Sequence, residues 1–420
     1  MIKIVIFLLL LVPLAAGCQT VQEKTFPTKK NDFVNGIDNF LQKEWNSVAE
    51  KRLGIVANHT AVTSDGKHLV DEIIFDKKGK ITAVFGPEHG FRGVAAAGLK
   101  IDNTTDEKTG IPVFSLYGKT RKPTPEMLEG IDLMIFSIRD AGVRFYTYIS
   151  TLYHVMEACG EAGIPVWVLD QPNIIGGLYV DGPVVEDSLF SFVGITRLPI
   201  AHGMTIGEIG KYFQVDIKER KGINCNLNVV EMSGYYRESE FEETGVEWLD
   251  PSPNLRSVTA TKVYPGTCLL ENTNVSEGRG SDDPFLIFGA PFINNDKLLE
   301  FIKQFPGIKS VEKIEYTPVE SEAAVKPKFM GEKCFGVRIR ETSKEFEAVK
   351  FGFYLLDHLN REYPDKFEIK ERGFRIKSGR GDIQNLLTTK GWEAVVASWQ
   401  EELRQFKELR SKYLLYTNLR

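Results

Sequence analysis

The sequence predicts an α/β protein, a Rossmann-like parallel sheet domain followed by a smaller α+β auxiliary domain. Three observations predict it. Short apolar runs rich in β-branched and aromatic residues alternate with stretches of helical periodicity over the first 250 residues, the pattern of a parallel sheet covered on both faces. Each run ends in glycine, proline or polar punctuation. Beyond the proline-rich "LDPSPNLRS" the texture changes to a long irregular segment, "YPGTCLLENTNVSEGRGSDDPF", and then to helix, strand and helix patterns through "KEFEAVKFGFYLLDHLN".

The first 18 residues stand apart from the fold. Lys3, an apolar core from Ile4 to Leu14 and small residues leading to Cys18 form the layout of a secretory signal. A small-residue run ending in cysteine resembles the lipobox of bacterial lipoproteins, although Ala15 sits where leucine is commonest. The apolar run is shorter than the ~20 residues that span a bilayer. The expectation is an exported chain, lipidated at Cys18 and tethered to a bacterial membrane on its periplasmic or cell-surface side. Residues 19 to 32 read as a spacer, 33 to 265 as the Rossmann-like domain and 266 to 420 as the auxiliary domain.

Within the first domain, strands are predicted at "RLGIVAN", "ITAVFG", "DLMIFSI" and "PVWVLD". Thr124 before Pro125 reads as an N-cap with proline at the first helical position. "TYISTLYHVMEACGEAG" keeps its apolar residues on one face and stops near Gly163. In "AHGMTIGEIGKYF", Thr205 and Glu208 form a capping box, which assigns Glu208 to the helix start. The chain ends in an amphipathic helix with Trp399, Leu403, Phe406 and Tyr413 on one stripe.

Composition excludes some functions. A net charge of −5 leaves no electrostatic footprint for nucleic acid. Cys159, Cys225, Cys268 and Cys334 show neither CxxC nor Cys/His metal spacing and permit one disulfide in an oxidising compartment. No GxGxxG opens a helix after the first strand, so no dinucleotide cofactor is expected. GxSxG and GxxxxGK[ST] are absent as well.

Ligands of an open parallel sheet bind beyond the carboxyl ends of its strands. The four predicted strands deliver Asn58 and His59, then Glu88, His89 and Arg92, then Arg139 and Asp140, then Asp170 with Gln171 and Asn173 to that edge. Structural roles compete at some positions: Asp170 as a cap for the turn before Pro172, Arg139 with Asp140 as a local ion pair, His59 as a loop histidine. Glu88, boxed between Pro87 and Gly90, has neither helix nor strand to stabilise and is the strongest candidate. Glycoside hydrolysis needs a carboxyl group that donates a proton to the leaving oxygen, usually with a second group across the sugar. Asp140, Asp170 and Glu277 are the possible partners. His59, His89, Asp140 and Asp170 also make a mixed metal-ligand set, at a spacing that matches no metal motif.

Taken together, "GIVANHTAVT", "FGPEHGFRG", "FSIRDAGVRFYTYISTL", "VLDQPN", "GPVVE", "AHGMTIGE", "PSPNL" and "YPGTCLLENTNVSEGRG" resemble the NamZ-type exo-β-N-acetylmuramidases, from about residue 35 to the end. The resemblance implies a Rossmann-like catalytic domain, an auxiliary domain that closes a cleft, and release of N-acetylmuramic acid from non-reducing ends of peptidoglycan fragments without a cofactor. It implies that Glu88 is the catalytic glutamate, with His89 and Arg92 orienting it or the sugar.

Beside the resemblance, the chemistry of the sugar adds expectations. N-acetylmuramic acid carries a lactyl carboxylate, for which Arg92, Arg139, Arg144 and Arg279 are candidate contacts. Glu277, in "SEGRG", is expected to reach into the cleft from the second domain, and residues 265 to 285 to form its wall. The substrate's acetamido group is available as nucleophile, so a second carboxylate is not required. A metal-dependent hydrolase or deacetylase of cell-wall sugars and a non-catalytic muropeptide-binding lipoprotein are the competing readings.

Overall fold

The structure, a computed structural model, describes residues 32 to 92 and 102 to 418. The leader with Cys18 and most of the spacer lie outside the described residues. Seven strands form the larger sheet: β1 (Arg52–Ala57), β2 (Lys80–Gly86), β3 (Thr104–Thr105), β4 (Pro112–Ser115), β5 (Leu133–Ser137), β6 (Val166–Leu169) and β7 (Leu227–Val230). They lie in the order β3-β4-β2-β1-β5-β6-β7, all parallel except the short edge strand β3. The four strands predicted from sequence are the contiguous centre of this sheet. Those not predicted are its flanks, where no strand buries more than two residues and the apolar run is broken.

Side chains of the central strands alternate between two cores, as a period of two requires. Leu53, Ile55, Leu133 and Ile135 pack with the amino-terminal helical segment, through Ile37, Phe40 and Val48. Val56, Met134 and Phe136 point the other way, into a core that continues through the helices Tyr148–Ala162 and Ile206–Lys221. Both helices follow their sequence signals. The first ends on Gly163 at φ 70°, and the second carries the Thr205–Glu208 capping box. The stretch after Thr124 does not follow its signal: Glu126–Leu128 is one 3-10 turn, because Gly130, at φ 76°, redirects the chain and β5 begins at Leu133.

The second domain begins on the helix Val258–Thr267, which tolerates Pro265 near its end, and holds an antiparallel sheet β8-β10-β9 from β8 (Ile287–Ala290), β9 (Ile308–Tyr316) and β10 (Cys334–Thr342). The helix Ala348–Glu362 crosses Val258–Thr267 at Gly352 and Gly266, where a Cβ on Gly352 would lie 2.7 Å from the Gly266 backbone. One apolar core runs without a break from the large sheet through this crossing to Phe288 and Trp399. The last helix, Gln400–Arg410, buries Leu403 and Phe406 beside Trp399, while Tyr413 lies past its end and packs partly buried. Cys159, Cys225, Cys268 and Cys334 are all buried and free, so the disulfide that the spacing permits is not formed among them.

Candidate active site

β2 runs into the turn Pro87–Gly90, closed by the Gly90 N–H donating to the Pro87 carbonyl at 2.9 Å. His89, the third residue of that turn, sits at φ 69°. A type II turn demands this left-handed conformation, normally supplied by glycine; a non-glycine residue there is uncommon and costs backbone strain that clusters at functional sites. The turn throws Glu88 over the sheet edge toward Thr147, at the start of the helix Tyr148–Ala162. The Thr147 hydroxyl donates to Glu88 Oε2 at 2.6 Å, and the Tyr117 phenol, just past β4, hydrogen-bonds the same carboxylate. Burial, and then the Glu88 charge, push the Tyr117 phenol up to about 12, and burial lifts Tyr146 well above the usual range. Both remain hydrogen-bond donors at neutral pH.

Glu88 and His89 open into a cavity of about 430 Å³ between the two domains, a size suited to one small ligand. The large-sheet domain contributes Tyr117, Tyr146 and Thr147; the second domain contributes Glu271, Glu277, Arg279 and the run from Ala323 to Lys328. The predicted wall is therefore present, although its first part is the helix Val258–Thr267 and a 3-10 turn rather than irregular chain. Its charges are tightly paired. Glu277 takes Lys328 at 2.8 Å and Arg279 at 3.5 Å, while Glu271 takes Arg279 at 2.8 Å and also Lys377. Burial alone would raise the Glu271 carboxyl, but Lys377 and Arg279 overcome it and hold the group well below the usual carboxylate range. Lys328 spends its remaining donors on the Leu270 and Val275 carbonyls.

The other candidates are placed as follows. Glu88, His89, Glu277 and Arg279 meet in the cavity. His59 sits beside it, its Nε2 2.7 Å from the Asp250 carbonyl and its ionisation disfavoured by burial, in a shallower groove of about 730 Å³ shared with Trp248 and Arg256. Asn58 is fully buried and accepts from the Thr60 N–H and hydroxyl. Arg92 turns away from the cavity to Asp106 at 2.9 Å and Asp71 at 3.5 Å. Arg139 is buried over the Phe241 ring, and Arg144 is spent on the carbonyls of Pro183, Leu198 and Lys377. Asp140 is buried and does not line the cavity, with its Oδ2 accepting the Gly142 N–H at 2.7 Å and lying 3.6 Å from His202.

Asp170 does structural work. Its Oδ1 accepts the N–H groups of Gly207 and Gln171, and its Oδ2 accepts the hydroxyls of Thr205 and Tyr416, at 2.5 to 3.0 Å. It therefore caps the helix Ile206–Lys221 rather than the turn before Pro172. His59, His89, Asp140 and Asp170 do not converge as a ligand set: among the described residues, no three His, Cys, Asp or Glu side chains come together to hold a metal ion.

Sequence reasoning missed Tyr117, Tyr146, Thr147, Glu271, Lys328 and Lys377. Tyr117 was reachable, since "PVFS" is β-branched and aromatic, and the rule applied to the other strands would have brought the residues after β4 to the same edge. Lys328 and Lys377 carry no local signal, because their roles arise only from contacts made across long stretches of chain.

Family models described as "Exo-beta-N-acetylmuramidase NamZ", N-terminal and C-terminal, match residues 53–259 and 262–416. The chain is 40% identical over 408 residues to the peptidoglycan beta-N-acetylmuramidase NamZ of Bacillus subtilis, covering 96% of each. Crystal structures of two DUF1343 family proteins from Bacteroides fragilis superpose with TM-scores of 0.82 and 0.75 at 32% and 31% identity, over 92% of this chain and 99% and 100% of theirs. The chain belongs to the exo-β-N-acetylmuramidase NamZ family.

Proposed function

We propose that this protein is an exo-acting glycosidase that releases N-acetylmuramic acid from non-reducing ends of peptidoglycan fragments, with Glu88 as its acid/base. The observation that carries the reading is the placement of Glu88: on a strained turn at the sheet edge, held by two hydroxyl groups, facing an interdomain cavity the size of one sugar. Glu88 donates a proton to the glycosidic oxygen as the bond to the anomeric carbon breaks. The two cavity carboxylates of the second domain are neutralised by lysine and arginine, which makes them poor nucleophiles. The substrate's acetamido oxygen therefore attacks the anomeric carbon, and water, deprotonated by Glu88, opens the resulting ring and returns the proton. This route retains the β configuration.

The groove beside His59 and Trp248 gives the leaving glycan a place outside the cavity. Export, lipidation at Cys18 and a periplasmic or cell-surface location complete the proposal, because the substrate lies outside the cytoplasm; membrane fractionation of Cys18→Ala against wild type tests the anchor.

The test of activity is proton NMR of N-acetylmuramic acid β-linked to N-acetylglucosamine, incubated with wild type and Glu88→Gln, each with and without chelator. Release by wild type, a rate at least about 10²-fold lower in the variant, indifference to chelator and β anomer appearing first are expected. Loss of activity with chelator favours a metal hydrolase. Tight binding without turnover makes the protein a muropeptide-binding module, and an α anomer appearing first overturns the acetamido route.

A further inference from the structure

The substrate reading leaves unassigned the group that recognises the lactyl carboxylate, the feature that separates N-acetylmuramic acid from N-acetylglucosamine. All four arginines suggested by sequence are committed: Arg92 to Asp106, Arg139 against Phe241, Arg144 to three carbonyls and Arg279 to Glu271. Among the described residues, four cations line the cavity, Arg279, Lys326, Lys328 and Lys377. Three of them are bound to Glu271 or Glu277. Among the described residues, Lys326 alone of the four forms no ion pair.

Its setting is built rather than loose. Ala323 to Lys328 form a continuous stretch of the cavity wall. The stretch is pinned at one end by Asn254 Nδ2 donating to the Ala323 carbonyl at 2.7 Å, and at the other by the three hydrogen bonds of Lys328. Lys326 itself adopts φ 49°, a left-handed backbone that a lysine does not choose without support from its surroundings. Next to it, Pro327 packs on Gly280, where a Cβ would come within 2.7 Å of the proline ring. The wall thus fixes the backbone and leaves a long cationic side chain at the cavity mouth. The three paired cations share two carboxylates, so the second-domain wall already carries one excess positive charge; Lys326, outside any ion pair, adds a second, and this net positive charge suits an anionic sugar and gives no advantage to a neutral one.

We propose that Lys326 binds the lactyl carboxylate and so sets the preference of this cavity for the muramic over the glucosamine sugar; the assignment rests on the glycosidase reading above. It is tested by calorimetric titration of the two free sugars into wild type, Lys326→Met and Lys326→Arg, each checked by thermal melting. Wild type is expected to bind N-acetylmuramic acid at least tenfold tighter than N-acetylglucosamine, with that ratio falling as salt is added. Lys326→Met is expected to lose the ratio and its salt dependence while holding N-acetylglucosamine within twofold, and Lys326→Arg to keep most of both. A muramic preference that survives in Lys326→Met, or equal losses on the two sugars, overturns the assignment. The glycosidase reading fails separately, through absence of sugar release by wild type; wild type that releases the sugar alongside an unchanged Lys326→Met overturns only the lysine.

Discussion

Thr147 and Tyr117 reach the Glu88 carboxylate from the ends of two different segments, one after β5 and one after β4. Their hydroxyls fix where the carboxylate points, which is what an acid aimed at one glycosidic oxygen requires. The Thr147 side chain makes no capping bond to its own helix, so Thr147→Val removes the contact to Glu88 without removing a cap. A hydrogen bond to a charged group is worth ~1.5–3 kcal/mol. The variant should therefore lose about tenfold or more in kcat with KM within about twofold, read from initial rates of sugar release; a rise in KM at constant kcat would make Thr147 a sugar contact instead. Glu88 and His89 were legible in the sequence because a short motif carried them. The arginines were not, because a guanidinium's reach lets it turn to any nearby acceptor: Arg92 found Asp106 and Asp71, and nothing in "GFRG" distinguishes that outcome from a contact with substrate.

At the scale of elements, the crossing of Val258–Thr267 with Ala348–Glu362 joins the cavity floor to the second domain, since Tyr264 on the first helix lines the cavity. Gly352→Ala sets two effects against each other. Helix propensity favours alanine by ~1 kcal/mol, but the new methyl group would lie 2.7 Å from the Cα and carbonyl oxygen of Gly266, and backbone cannot yield as a flexible side chain does. Overpacking of this kind costs ~1–3 kcal/mol, so the variant should melt lower and lose activity with the displaced Tyr264; a higher melting temperature would show that the helices separate freely. The central strands, unlike this crossing, were readable. Buried on both faces, β1 and β5 are continuous apolar runs, whereas β4 and β7 at the flanks alternate in burial and merge with the surrounding loops. The second sheet was harder to read for the same reason, as β9 exposes much of its length.

Across the whole molecule, the chain's last described residues return to the first domain and close it. Arg410 donates to the Gly203 and Gly177 carbonyls, the Leu415 N–H donates to Glu208, and the Tyr416 hydroxyl both accepts the Met232 N–H at 3.0 Å and donates to Asp170 at 2.5 Å. This tail makes stability depend on pH through Asp170. Burial pushes the Asp170 carboxyl up to about 7 from 3.8, against the pull of its hydrogen bonds. The folded protein thus keeps a proton that the unfolded chain releases, so this contribution is full below about pH 4 and is lost as pH rises to about 7. Glu271 acts with the opposite sign: its folded carboxyl is depressed, so its contribution is present above about 4.5 and is lost on acidification. Tyr416→Phe removes a donor that favours the charged form of Asp170 and strands the Met232 N–H, at a cost of ~1–3 kcal/mol. With the donor gone, the Asp170 carboxyl moves further up, and the loss of stability continues to higher pH than in wild type. Thermal melts at pH 5, 7 and 8.5 should show a gap between wild type and Tyr416→Phe that widens with pH. A gap constant across the three would mean that the tail stabilises through packing and the Met232 bond alone, without sensing the charge at the head of the helix Ile206–Lys221.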